Sequence, residues 1–113
     1  MLEQDRCRSI VDAYVERCFD LRTAPRVSEL AYELGVSHLR LARMFRGISR
    51  YMKQRQIARA QAMLRESNAS YETIAAAAGF GTLRTFYRAF RRDVGVSPHE
   101  YRLKEMSIDA LCK

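Results

Sequence analysis

Hydrophobic residues recur every three to four positions through most of this chain, the spacing that gathers them on one face of an α-helix. Glycine and proline are scarce, at 5 and 2 residues, so the frequent turns that a sheet protein needs are missing. The pattern predicts an all-α protein. Its first helix covers residues 6–20, and the apolar stripe that this helix buries is Ile10, Val11, Tyr14, Val15, Cys18 and Phe19.

Proline and glycine interrupt this spacing and mark the first turns. Pro25 ends the first helical stretch, because proline disfavours the α conformation in the residue before it. A short helix is predicted over 27–34, and Gly35 follows at a sharp turn, where glycine tolerates a positive φ. Ser37 is the predicted N-cap of the next helix. The short helix is expected to bury Val27, Leu30, Ala31 and Leu34.

The rest of the chain divides in the same way. One long helix, 51–66, links an N-terminal part, residues 1–50, to a C-terminal part, residues 67–113. The polar residues Ser67, Asn68 and Ser70 end the long helix, and one of them caps the helix that follows. The other helices are predicted over 38–46, 71–78 and 82–92 and from Pro98 onward.

The two halves of the chain repeat each other. Each copy has a helix, a small-residue turn and a second helix with an outward arginine, which is the sequence form of a helix-turn-helix. The offset rises from 44 residues before the turn to 45 after it, so the second turn has one extra residue. The repeated positions are Ala31, Gly35, Leu41, Arg43 and Phe45 in the first copy and Ala75, Gly79, Phe86, Arg88 and Phe90 in the second.

The charge of the chain is uneven. The formal net charge is +7, and 17 of the 20 basic residues are arginine. Residues 37–65 contain eight basic residues and no acid, whereas solvated helix faces usually alternate in sign, so this run indicates a polyanionic partner. Charge alone fits DNA, RNA, an anionic membrane surface or an acidic protein. The eight are Arg40, Arg43, Arg46, Arg50, Lys53, Arg55, Arg59 and Arg65.

Other chemistry is not indicated. The chain lacks a Ser/His/Asp or Cys/His arrangement and a phosphate-binding glycine loop, and His38 and His99 have no partner cluster. We therefore expect no enzyme, no metal, no cofactor, no small-molecule site and no membrane association. The three cysteines form no CxxC pair, which favours reduced, buried thiols over a redox pair. They are Cys7, Cys18 and Cys112.

The residues from Ile74 to Arg102 form a specific motif. They read Ile74-Ala75-x3-Gly79-Phe80, Phe86-x-Arg88-x-Phe90-Arg91 and Gly95-Val96-Ser97-Pro98-x-x-Tyr101-Arg102. This motif, together with the first copy, resembles the AraC/XylS family of bacterial transcription regulators over roughly residues 8–104. The resemblance implies seven helices, arranged as two helix-turn-helix subdomains joined by one long linker helix.

The resemblance also assigns two recognition helices, about 38–46 and 83–91. Arg43 and Arg88 are the residues best suited to bidentate guanine contacts. The expected base-contacting residues are Leu39, Arg40, Ala42, Arg43, Leu83, Arg84, Tyr87 and Arg88. The expected phosphate contacts are Ser37, Arg46, Arg50, Thr82 and Arg91.

The first copy departs from the family pattern. Tyr101 follows Phe90 by eleven positions, which is the family spacing, but the matching Tyr51 follows Phe45 by only six. Five residues that close the first recognition helix and enter the linker helix are missing, and this loss is expected to tilt that helix. Gln56 stands where the family often has arginine. The repeated aromatic residues are expected in the core: Tyr51, Phe86, Phe90 and Tyr101.

The resemblance implies a sequence-specific regulator, an activator in the bacterial cytoplasm and nucleoid, that binds an asymmetric site on double-stranded DNA as a monomer. It also implies contact with RNA polymerase. With little chain outside the DNA-binding region, the expectation is a short stand-alone regulator or a part of a longer protein. The alternative is a helical interaction module whose basic face binds an acidic partner, with only weak affinity for DNA.

Overall fold

Seven α-helices make up the computed structural model, which describes the backbone of residues 2–112 and the exposure of side chains in residues 5–106. No strand occurs within these residues, and the predicted all-α fold is confirmed. The helices are α1 (Leu2–Leu21), α2 (Val27–Leu34), α3 (His38–Met44), α4 (Ile48–Glu66), α5 (Tyr71–Ala77), α6 (Leu83–Val94) and α7 (Pro98–Cys112).

The first hydrophobic core lies among α1, α2, α3 and the start of α4. Tyr14 is buried in it and also joins α1 to α2. Its hydroxyl accepts a hydrogen bond from the backbone N–H of Arg26 at 2.9 Å and donates one to the carboxylate of Glu29 at 2.8 Å. Two predicted core positions are wrong. Ile10 is 43% exposed because α1 extends beyond the core at this end, and Leu34 is 41% exposed because it lies on the last turn of α2.

The second core lies among α4, α5, α6 and α7. Phe86 and Phe90 are fully buried, as predicted, and their ring centroids lie 5.7 Å apart in an edge-to-face arrangement. Ile74 and Ala75 of α5 are also buried, as is Ala78 directly after it, and the small alanine side chains let the neighbouring helices approach closely. The buried Cys18 belongs to the first core and supports the prediction of a packed thiol, while the side chain of Cys112 lies outside the described residues.

Arg102 closes the end of the linker helix. Its guanidinium donates hydrogen bonds to the carbonyls of Leu64, Ser67 and Ala69 at 3.0–3.2 Å and lies 5.2 Å from the centre of the Tyr71 ring. The last carbonyls of a helix have no partner within the helix. A side chain from α7 supplies that partner, and so it joins the C-terminal helix to α4. Ser70, one of the three proposed caps, caps α5.

The five missing residues are all removed from the first recognition helix. α3 has 7 residues and α6 has 12, and a connection of three residues, 45–47 or 95–97, follows each of them. The prediction that the loss extends into the linker helix was wrong: α4 has 19 residues and begins at Ile48, three positions earlier than predicted. Gly47, in the left-handed conformation with φ 77°, turns the chain into α4. α3 correspondingly ends at Met44 and not at residue 46.

One glycine in each helix-turn-helix turn has the same left-handed conformation, although the turn between α5 and α6 is longer than the turn between α2 and α3. Gly35 and Gly79 have φ values of 70° and 77°, and each donates its backbone N–H to the carbonyl three residues earlier at 3.1 Å. The surroundings of the two glycines differ. Space around Gly35 is open, whereas a methyl group at Gly79 would lie 2.9 Å from the carbonyl oxygen of Thr23 and 3.1 Å from Cδ of Pro25. The α1–α2 loop therefore lies directly against the second turn.

We predict that Gly79→Ala lowers the free energy of unfolding more than Gly35→Ala. Both variants place a side chain in the left-handed conformation, at a cost of about 1–2 kcal/mol. Only Gly79→Ala adds an overlap with the backbone oxygen of Thr23, which costs about 1–3 kcal/mol more. Urea unfolding of the two matched variants measures the difference. Equal losses would show that the contact with the α1–α2 loop carries no constraint.

Candidate nucleic-acid interface

Both recognition helices begin with a side-chain cap at the surface. The Ser37 hydroxyl accepts a hydrogen bond from the backbone N–H of Arg40 at 3.0 Å, and the Thr82 hydroxyl accepts one from Thr85 at 3.1 Å. The capping role predicted for Ser37 is confirmed. Because both hydroxyls are exposed, they lie with the first turn of each helix where an external phosphate could reach them.

The first recognition helix, α3, is anchored at one residue and exposed around it. Leu41 is buried, while Leu39, 60% exposed, and the side chains of Arg40 and Arg43 extend into solvent. Ala42 is half-buried. The structure therefore brings the predicted base-contacting residues of this helix to one surface, on a helix of only two turns.

The second recognition helix, α6, presents a longer surface. Arg84 and Arg88 are exposed, and Tyr87 is 38% exposed with its ring centroid 6.2 Å from that of Tyr71. Burial and the nearby Glu72 raise the pKa of Tyr87. The other predicted contact residues differ in exposure: Leu83 on α6 packs half-buried against the second core, while Arg46 after α3, Arg50 on α4 and Arg91 on α6 are exposed.

In each helix-turn-helix unit, an aromatic pair joins the recognition-helix region to the helix that follows it. The rings of Phe90 and Tyr101 lie 5.4 Å apart between centroids, and those of Phe45 and Tyr51 lie 5.1 Å apart. The pair survives in the first unit although the intervening chain is five residues shorter. The hydroxyl of Tyr51 also donates to Asp12 on α1 at 2.5 Å, and this hydrogen bond raises the pKa of Tyr51. α3 is therefore shortened but still fixed at its C-terminal end.

Some arginines of the acid-free basic run contact other helices. Arg55 is partly buried and donates to Glu16 at 2.6 Å, which joins α4 to α1. Arg59 lies 5.7 Å from the centre of the Phe19 ring, and Arg65 donates to the hydroxyl of Tyr101 at 2.8 Å. Arg40, Arg43, Arg46 and Arg50 remain at the exposed surface. Arg59 and Arg65 are exposed as well, so six of the eight basic residues lie at the surface, and two of those six also contact other helices.

Gln56 joins the linker helix to the second turn. It is 6% exposed, and its amide nitrogen donates to the carbonyls of Ala78 and Gly79 at 3.2 and 3.0 Å. Sequence analysis identified Gln56 only as a departure from the family pattern and missed this role. The pairing is tertiary, across 22 and 23 residues, so local sequence could not reveal it.

Two further cations were given no individual role by sequence analysis. Lys53 on α4 and Arg92 on α6 line the same groove beside the second recognition helix. Lys53 counted only as one charge in the basic run, and Arg92 lies beyond the predicted recognition helix.

The described part of the chain has no helix with the apolar length that a membrane crossing requires.

We predict that Gln56→Leu lowers the free energy of unfolding by about 1–3 kcal/mol, because two buried carbonyls lose their donor. Gln54→Leu, at an exposed position on the same helix, is the matched control and is expected to stay within about 0.5 kcal/mol. Denaturant unfolding followed by circular dichroism measures both. Equal stability of the two variants would contradict the role of the Gln56 amide.

The sequence has recognisable relatives. A family model described as a helix-turn-helix domain matches residues 30–104. The HTH-type transcriptional regulator Rv1931c of Mycobacterium tuberculosis is 36% identical over 84 residues, covering 70% of this chain and 32% of the relative. The chain thus spans about a third of the length of that curated relative.

Two solved structures share the fold. The C-terminal domain of the two-component response regulator yesN from Fusobacterium nucleatum has a TM-score of 0.76 at 20% identity, covering 86% of this chain and 98% of that one. A DNA-binding transcriptional dual regulator from Escherichia coli has a TM-score of 0.71 at 18% identity, covering 93% of each chain. With the family match, these findings confirm that the chain belongs to the AraC-type helix-turn-helix family, whose members are DNA-binding transcription regulators and not enzymes.

Proposed function

We propose that this chain is a sequence-specific regulator that inserts α3 and α6 into adjacent major grooves on one face of double-stranded DNA. The observation that carries the proposal is a repeated arrangement. In each copy a capped helix carries a buried residue, Leu41 or Phe86, and an exposed arginine follows two positions later, Arg43 or Arg88. Arginine in the major groove is suited to paired hydrogen bonds with guanine.

The dimensions of the molecule support simultaneous binding of both helices. Major grooves on one face of B-DNA recur at about 34 Å. The linker helix α4 is about 28 Å long, from 19 residues at the α-helical rise, and the molecule extends 48 Å along its longest axis. The proposal treats roughly residues 8–104 as one DNA-binding unit. Within it the linker helix joins the N-terminal part of the chain, 1–50, to the C-terminal part, 67–113. A rigid α4 favours DNA that bends between the half-sites.

The two recognition helices contribute unequally. α3, with 7 residues, is about 10 Å long, while α6, with 12, is about 18 Å long. The second helix therefore reaches more base pairs and sets most of the specificity. The predicted base-contacting and phosphate-contacting residues keep those roles in the proposal. Because the halves differ, the preferred site is asymmetric and one monomer occupies it. The proposal places the protein in the bacterial nucleoid as an activator that contacts RNA polymerase.

Selection from a random DNA pool at near-physiological salt tests this function. We expect two unlike half-motifs about 10 base pairs apart, corresponding to one helical turn. A single half-motif would show that shortened α3 does not read bases. Absence of any enriched sequence would contradict the proposed function and would favour a module that binds an acidic protein. Steep loss of affinity with added salt would accompany binding in the first two cases.

We predict that Arg88→Ala relaxes the preference at one half-motif, with a loss of about 1–3 kcal/mol against the preferred base. Arg43→Ala is expected to relax the other half-motif by a smaller amount, because α3 is short and makes fewer contacts. Competition binding with single-base variants of the selected site measures both effects. Thermal unfolding confirms that the variants fold, since both arginines are exposed. An unchanged base preference in Arg88→Ala would rule out its assignment.

A further inference from the structure

A groove runs between the linker helix and the second recognition helix. Two adjoining cavities of about 610 and 890 Å³ share Lys53 and Arg92 in their walls. The floor is apolar, formed by the side chains of Ala89 and Ile57, which are 4% and 7% exposed. The groove thus extends from Ser49 and Arg50, at the start of α4, to the exposed face of α6.

The walls of the groove are strongly basic. Five cations line it, and Asp93 is the one carboxylate among the lining residues that the structure describes. Asp93 is hydrogen-bonded at 3.2 Å to Nε of its neighbour Arg92, so the groove as a whole keeps a large positive charge. The five cations are Arg50, Lys53, Arg88, Arg91 and Arg92.

Neutral donors and the apolar floor narrow the class of ligand. Gln54, Gln61 and Thr85 add donors between the cations, so the groove offers donors along its length and not at one point. A single small anion would use only part of this surface. A polymer with regularly spaced negative charges and less polar units between them matches it throughout, and a phosphodiester strand has this character.

We propose that this groove binds the phosphodiester backbone of the DNA segment between the two half-sites. The inference rests on the proposed function, and it assigns phosphate contacts to Lys53 and Arg92, which reach no base. Arg88 and Arg91 belong to both surfaces, since they line the groove and extend from α6. The backbone would therefore enter the groove directly from the major groove that α6 reads.

This contact offsets the weakness of the first recognition helix. A helix of 7 residues offers little surface for its own contacts. Affinity from phosphates does not depend on base sequence, and it holds the duplex in register. The groove reaches from the start of α4 to α6, and only residues 45–47 separate α4 from α3. DNA bound in the groove would therefore be aligned for both recognition helices, α3 and α6.

The experiment compares Lys53→Gln with the matched control Lys104→Gln in the full chain. Lys104 is an exposed lysine on α7 and does not line the groove. We expect Lys53→Gln to reduce the slope of log affinity against log salt by about 0.9, the value for one lost phosphate contact. Affinity should fall by the same factor for a duplex containing the selected site and for a random duplex, while Lys104→Gln leaves both unchanged.

A second arm locates the contact on the DNA. Uncharged methylphosphonate linkages between the half-motifs should weaken binding of the unaltered protein and weaken Lys53→Gln or Arg92→Gln less, because those variants have already lost the contact. The same linkages outside the site should affect every protein equally. Equal slopes for Lys53→Gln and Lys104→Gln, or an altered base preference in Lys53→Gln, would overturn this inference and leave the proposed function intact. Failure to select any site would instead contradict the proposed function.

Discussion

The proposed binding of two grooves by one monomer requires a fixed angle between the two helix-turn-helix units, and the buried amide of Gln56 helps to set that angle. Its two hydrogen bonds fix the linker helix to the second turn at Ala78 and Gly79. Hydrogen bonds define direction as well as distance, whereas apolar packing is tolerant of sliding. The carbonyl of Thr23 also approaches Gly79 so closely that a side chain there would overlap with it.

A glutamine at position 56 suits its buried surroundings. A neutral amide can enter a dry site at modest cost when both of its donors have acceptors, while a buried guanidinium would need a charged partner. The charged side chain next to it, Arg55, instead lies at the edge of the interface and finds its partners on α1. Two adjacent residues of α4 thus make different contacts: Gln56 joins α4 to the second helix-turn-helix unit, and Arg55 joins it to the first.

Much of the fold could be predicted from sequence because its determinants are local. Turn glycines, capping hydroxyls such as Ser37 and the spacing of buried residues act within a few positions, and the internal repeat supported each prediction with a second copy. The start of α4 was missed because Gly47 adopts its conformation only in response to a connection of three residues. Ile10 and Leu34 were misplaced because a helical stripe does not show where the core ends.

The candidate site was harder to predict. A run of basic residues shows how much charge there is, but the partners of Arg55, Arg59 and Arg65 come from distant helices. The groove likewise depends on the packing of α6 against α4, which brings Lys53 and Arg92 together across 39 positions of sequence. The exposure of Arg43 and Arg88, in contrast, follows from their place two residues after a buried anchor, which the repeat itself reveals.

The unequal lengths of α3 and α6 give the molecule a polarity. A symmetric dimer on a palindrome looks the same from either end of its site, so turning the site around changes nothing. In the proposed function one monomer reads DNA with a short and a long helix, so its two ends differ and its operator has a direction. Inverting that operator in a promoter would then present the opposite end of the protein to the transcription start, and the orientation of the site would carry regulatory information.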